Sequence, residues 1–131
     1  MDLRLDGKLA LVSGSTAGIG RAIAKTLGAE GAKVIVNGRT QDTVDKAVAE
    51  LASQVSGEFV GFAGDLATAE ATDRLARDYP EVNILVNNLG IFEPCAFGDI
   101  SDDDWRRFFE VNVLSGVRLS RIYLPGMKKR N

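Results

Sequence analysis

Short apolar runs alternate along this chain with stretches in which apolar residues recur every three or four positions. Lys8 to Ser13, Lys33 to Asn37, Glu58 to Phe62 and Asn83 to Asn87 are of the first kind and are predicted as strands, the third being the weakest. Between them the period is helical. Ile19 to Gly28 carries Ala22, Ile23, Ala24 and Leu27 on one side, and Gln41 to Gln54 carries Val44, Ala47, Val48 and Leu51. Thr68 can cap a third helix reaching Asp78, which Pro80 terminates. Ser101-Asp102-Asp103-Asp104 supplies a cap and first-turn acids for a long helix. Trp105, Phe108, Phe109, Val113, Val117 and Ser120 recur along it, and its predicted end is about Tyr123, before Pro125-Gly126. Strand and helix in regular alternation argue for an α/β fold, a parallel sheet built from βαβ units.

Composition narrows the classes. A chain of 131 residues suits one compact domain, and 45% hydrophobic with 26% charged residues is ordinary for a globular protein. A net charge of −2 offers no electrostatic case for nucleic acid or a membrane surface. No apolar run reaches membrane-spanning length, and no signal-peptide core follows Met1-Asp2-Leu3-Arg4, so cytoplasmic residence is expected. The chain has no histidine, which removes His-based triads and His-containing metal motifs, and no metal site is expected. Cys95, the one cysteine, has no partner for an internal disulfide and no histidine to activate it. Lys128-Lys129-Arg130 reads as a solvated helix end.

The chemistry gathers after the first strand, in Ser13-Gly14-Ser15-Thr16-Ala17-Gly18-Ile19-Gly20. A strand that passes through a glycine-rich turn into a helix N-terminus presents backbone N–H groups and the positive end of a helix dipole, which suits a pyrophosphate. The spacing is Gly14-x-x-x-Gly18-x-Gly20 rather than the commoner G-x-G-x-x-G, since Ile23 stands where the third small residue would fall.

This spacing resembles the short-chain dehydrogenase/reductase family, and other segments agree with it. Asp65-Leu66 follows the third strand, where the family's Asp hydrogen-bonds the adenine ring. Asn87-Asn88-Leu89-Gly90 follows the fourth and is similar to the family's Asn-Asn-Ala-Gly, with Leu89 as the departure. Asn112 lies mid-helix, where Asn is intrinsically poor. The resemblance implies that it bends the helix and holds a water of the proton relay. Gly38 stands where NAD-type members carry an acid, and Arg39 stands where NADP-type members set a basic residue against the 2′-phosphate.

The resemblance therefore implies a Rossmann-like parallel sheet with helices on both faces, of strand order 3-2-1-4 and truncated after about four strands. Residues 1–131 would form a single partial NADP(H)-binding domain, with NADP(H) favoured over NAD(H). The implied cofactor-binding residues are Gly14, Ser15, Thr16, Gly18, Ile19, Gly20, Arg39, Asp65, Leu66, Asn88 and Gly90, with Asn112 on the catalytic side.

The family's catalytic Ser and its Tyr-x-x-x-Lys pair have no counterpart here. Tyr123 is followed four residues later by Met127, and Lys128 is one step too far, about 100° around a helix. The expected function is thus hydride transfer between NADP(H) and a small carbonyl or alcohol substrate in the complete protein. This chain would hold the cofactor half and be inactive alone. An open edge at strand four and the apolar side of the long helix predict a homo-oligomer. The alternative is a non-catalytic nucleotide-binding or interaction module. A sugar-nucleotide epimerase-like protein ranks below both, because its glycine spacing usually differs.

Overall fold

The computed structural model describes residues 2–131. Its elements follow the predicted alternation: β1 (Leu9–Val12), α1 (Gly18–Ala29), β2 (Lys33–Gly38), α2 (Gln41–Gln54), β3 (Glu58–Ala63), α3 (Ala69–Asp78) and β4 (Ile84–Val86). A short 3-10 turn at Phe97–Asp99 leads into α4 (Asp102–Phe109), a π-helical segment at Glu110–Leu114, and α5 (Ser115–Arg130). The four strands form one parallel sheet of order β3-β2-β1-β4.

The two central strands, β1 and β2, are buried on both faces, which is why they read as continuous apolar runs. Alternate residues point to opposite sides. Ala10, Val12, Val34 and Val36 meet Ala24 of α1 and Ala47 and Leu51 of α2. Leu11 and Ile35 face the other way, onto Leu75 of α3 and Leu119 and Tyr123 of α5. The α/β architecture with helices on both faces is thereby realised.

The long helix departs from expectation in two respects. It is interrupted by the π segment around Asn112, and it does not stop before Pro125 but runs on to Arg130. Proline removes one helical hydrogen bond and normally breaks a helix interior, at about 3 kcal/mol. Tertiary contacts on both sides of Pro125 hold this helix together. The Tyr123 hydroxyl donates to the Tyr79 carbonyl at 2.9 Å, Met127 packs against the second core cluster, and Arg130 donates to the Val82 carbonyl at 2.9 Å.

One side of α4 and α5 is left without a covering element. Trp105, Phe109, Val113, Val117 and Leu124 are each at least 40% exposed and follow one another along the helix. Val113, Val117 and Leu124 also line a groove of about 870 Å³ along α5, bordered by Asn87, Asn112 and Gly116.

Candidate cofactor site

The site lies at the carboxyl ends of the strands. There the turn between β1 and α1 is closed from inside by two buried polar residues. Asn37 ends the apolar run of β2 and is 1% exposed. Its Oδ1 accepts from the Gly14 N–H at 2.9 Å, and its Nδ2 donates to the carbonyls of Phe62 and Gly64, each at 3.1 Å. One amide thus ties the first turn to the ends of β2 and β3. Ser15 is fully buried, donating to the Val12 carbonyl at 2.7 Å and accepting from the Asn37 N–H at 2.9 Å. Its hydroxyl is consumed inside the turn, so Ser15 shapes the loop.

The outer side of the turn is open. Gly14 and Gly18 have φ of 60° and 58°, a conformation that glycine adopts without strain. A Cβ on Gly18 would meet nothing within 4 Å, whereas one on Gly20 would run into Asn88 Nδ2 and the Gly14 carbonyl. Helix α1 begins after Ala17 with no side-chain cap, while α2, α3 and α4 are capped by Thr40, Thr68 and Ser101. The first turn of α1 therefore has no side-chain cap, and Gly18 and Ile19 within it are exposed. Such an end attracts an anion.

Asn88 fastens β4 to this turn. Its Nδ2 donates to the carbonyls of Ser13 and Gly14 at 3.1 and 3.0 Å, and its N–H donates to Ser13 Oγ at 3.0 Å. Ser13 Oγ also accepts from the Leu89 N–H at 3.0 Å. Neighbouring Asn87 points away from the turn and donates to Ser120 Oγ on α5 at 3.1 Å.

At the same carboxyl end, after β2, Arg39 is exposed and has no ion-pair or hydrogen-bond partner among the described residues. Gly38 beside it is sterically enforced. A Cβ there would approach Thr16 Cγ2 to 2.5 Å and Val44 Cγ2 to 3.1 Å. Any side chain at position 38, an acid included, must displace Thr16. Asp65 lies after β3 in a tight turn, its Oδ1 accepting from the Ala67 N–H at 3.0 Å. Leu66, next to it, is fully buried.

On the β4 side, Gly90 is pressed against Asn112, whose Oδ1 would lie 2.9 Å from a Cβ at position 90. Asn112 holds both backbone groups of Ile91. Beyond it, Glu93 is bound by Arg107, whose guanidinium holds the carboxylate below its ordinary pKa and straps the loop to α4. Cys95 in that loop is exposed.

Of the residues the resemblance implied, Gly14, Thr16, Gly18, Ile19, Gly20, Arg39, Asp65, Asn88 and Gly90 follow the carboxyl ends of the four strands, while the side chains of Ser15 and Leu66 are buried and Asn112 lies beyond Gly90. The sequence reading assigned no role to Asn37 or Ser13, the two residues that hold these ends together. Their signal was a polar residue closing an otherwise apolar strand, since a polar group in such a place must be hydrogen-bonded. Among the described residues no group of three or more His, Cys, Asp or Glu could hold a metal, and no helix is long and apolar enough to cross a membrane.

A sheet of this order with a glycine-rich turn at its centre is that of the dinucleotide-binding oxidoreductases. The chain belongs to the short-chain dehydrogenase family, whose profile matches residues 8–131. It is 56% identical over 128 residues to the uncharacterized oxidoreductase YvaG of Bacillus subtilis, covering 97% of this chain and 48% of that protein. It is 41% identical to a D-beta-hydroxybutyrate dehydrogenase of Cupriavidus necator, covering 97% of this chain and 50% of that one. Among solved structures, an L-sorbose reductase from Gluconobacter frateurii complexed with NADPH and L-sorbose matches with a TM-score of 0.90 at 33% identity. That match covers 99% of this chain and 51% of the reductase. The chain spans about half the length of the curated relatives it matches.

Proposed function

We propose that this chain is the cofactor-binding half of an oxidoreductase that moves a hydride between NADP(H) and a small carbonyl or alcohol. The observation that carries the cofactor preference is the pairing of Gly38 with Arg39. Thr16 fills the space an acid at position 38 would need, and the neighbouring guanidinium has no partner of its own. A ribose-binding carboxylate is thereby disfavoured and a 2′-phosphate is favoured, with a bidentate Arg–phosphate pair open to it. The sorbose reductase that this fold matches is itself described with NADPH.

The other residues fit the same ligand. The uncapped first turn of α1, with Gly14 and Gly18 in left-handed conformations, suits the pyrophosphate. Asp65 suits an exocyclic amine, because a carboxylate only accepts. Gly90 lets the dinucleotide pass close to the backbone after β4. When bound, the nicotinamide supplies or accepts the hydride.

Asn112 stands at the reacting end. Its side-chain amide keeps a second lone pair and a second hydrogen after pairing with Ile91, enough to hold a relay water. Proton transfer to the substrate needs a positioned acid, and no Tyr-x-x-x-Lys pair occurs in these residues. For this chain alone, no turnover is the expected outcome in an NADPH-dependent carbonyl-reduction assay. The exposed stripe from Trp105 to Leu124 supports a homo-oligomer, and the absence of a spanning helix among the described residues is compatible with a cytoplasmic setting.

Calorimetric titration of the chain with NADPH and with NADH tests the cofactor reading. Tighter binding of NADPH is expected, and equal or tighter binding of NADH would overturn it.

A further inference from the structure

Arg118 of α5 is an unusual arginine for a helix surface, since only 22% of its side chain is exposed and both ends of its guanidinium are engaged. Nη1 donates to the Ala67 carbonyl at 2.8 Å, and Nη2 pairs with Glu110 Oε2 at 2.9 Å. Ala67 belongs to the turn that presents Asp65. In that turn the Ala67 N–H holds Asp65 Oδ1 at 3.0 Å, while the Thr68 N–H and hydroxyl donate to the Asp65 carbonyl at 2.9 and 2.7 Å.

We infer that Arg118 is a positioning residue for the adenine end of the cofactor site: it fixes the Ala67 carbonyl, and through that peptide the Asp65 carboxylate. The inference rests on the reading of Asp65 as the adenine contact. Turn backbone is free to rotate its peptide planes unless each plane is anchored. Here the Ala67–Thr68 plane is held at both ends, its N–H by the Asp65 carbonyl and its C=O by Arg118, and the preceding plane is held by the Asp65 carboxylate. With Oδ1 taken, Oδ2 is the oxygen left without a protein partner among the described residues, and its direction is set by the turn.

Glu110 makes the anchor specific. It opens the π segment, eight residues before Arg118, so the two would lie two turns apart on a regular helix. Pairing with Glu110 holds the long Arg118 side chain against Ala67 instead of leaving it to solvent. A lysine at position 118 has one donor group and cannot serve the carboxylate and the carbonyl at once in the same planar fork.

The test is a double-mutant cycle read by calorimetric binding of adenosine 2′,5′-bisphosphate, a probe that carries the adenine and the 2′-phosphate only. Arg118→Met is expected to weaken the probe about tenfold, the worth of one hydrogen bond to a charged group. In an Asp65→Ala background the same substitution is expected to cost less than about twofold, because the residue acts through Asp65. Arg118→Lys is expected not to rescue binding. Glu110→Gln, an exposed change that keeps the helix, is expected to weaken the probe about threefold and carries the test if Arg118→Met does not fold. Unchanged affinity in Arg118→Met, or in Glu110→Gln where that variant stands alone, overturns the inference. So does an equal loss in Arg118→Met with and without Asp65, which would mean that Arg118 acts by general structure or charge. Failure of the unmutated chain to bind the probe overturns the nucleotide reading itself and this inference with it.

Discussion

The side chain of Asn112 satisfies both backbone groups of Ile91. Its Oδ1 accepts from the Ile91 N–H at 2.7 Å, and its Nδ2 donates to the Ile91 carbonyl at 3.1 Å. An amide thus takes the place of a neighbouring strand for one residue, just after β4 has ended. Asn112 lies in the middle of the π segment Glu110–Leu114. This local departure from α geometry accompanies a side chain that reaches sideways to Ile91, a common setting for π turns at functional sites.

Asn112→Ala is expected to destabilise the chain by about 1–2 kcal/mol, from two lost hydrogen bonds and a partly exposed Ile91 backbone that water can re-solvate. Asn112→Asp keeps the acceptor but sets a second carboxylate oxygen against the Ile91 carbonyl, so it is expected to cost at least as much as Asn112→Ala. Urea unfolding of the three proteins checks the order. A stability for Asn112→Ala equal to that of the unmutated chain would show that the bridge contributes nothing.

Gly20→Ala places a methyl group into Asn88 Nδ2 and the Gly14 carbonyl, neither of which is a free side-chain end able to move aside. A loss of about 2 kcal/mol or more is expected, as for overpacked sites. Nucleotide binding is expected to fall further than stability, because the same two groups shape the cradle. Thermal melting and calorimetry on one preparation separate the two effects.

Gly38→Asp is expected not to convert the site to NAD(H), because Thr16 Cγ2 occupies the space of the new Cβ. It should instead destabilise the chain. Combining it with Thr16→Ala removes that contact, so the two substitutions should be less harmful together than their sum, by about 1 kcal/mol. Strict additivity in denaturant unfolding would contradict the steric account.

Arg39→Ser is expected to weaken NADPH about tenfold or more and to leave NADH within about twofold, since only one carries the 2′-phosphate. Parallel losses for both cofactors would remove Arg39 from that role.

Tyr123 is buried, and its pKa is pushed up to about 12 by that burial, from an ordinary value near 10. Its neutral form is therefore favoured in the folded chain. The associated stability is complete below the unfolded value and is lost as pH rises from about 10 through about 12. The chain has two tyrosines, so ultraviolet titration is expected to resolve a late step that Tyr123→Phe removes. A single step near pH 10 in the folded protein would refute this.

Much of the architecture is legible in the order of residues alone. The strand and helix periods, the caps at Thr68 and Ser101 and the glycine spacing are local properties, governed by a few neighbouring residues, and the structure matches them. Local reading misjudged the end of the last helix for the same reason. Pro125 is a helix breaker by itself, but the contacts of Tyr123, Met127 and Arg130 with Tyr79, Val82 and the core lie more than forty residues away in sequence and outweigh it.

The residue types alone determined that this chain forms a parallel α/β sheet with a glycine-rich turn and an uncapped helix start after its first strand, because side-chain period and backbone freedom are written locally. Only the tertiary structure decided that Asn37 joins three strand ends, that Thr16 crowds any side chain at position 38, and that Arg118 reaches the Asp65 turn. Each of these depends on which distant backbone groups the fold brings within hydrogen-bond or van der Waals distance, and no spacing along the chain encodes that.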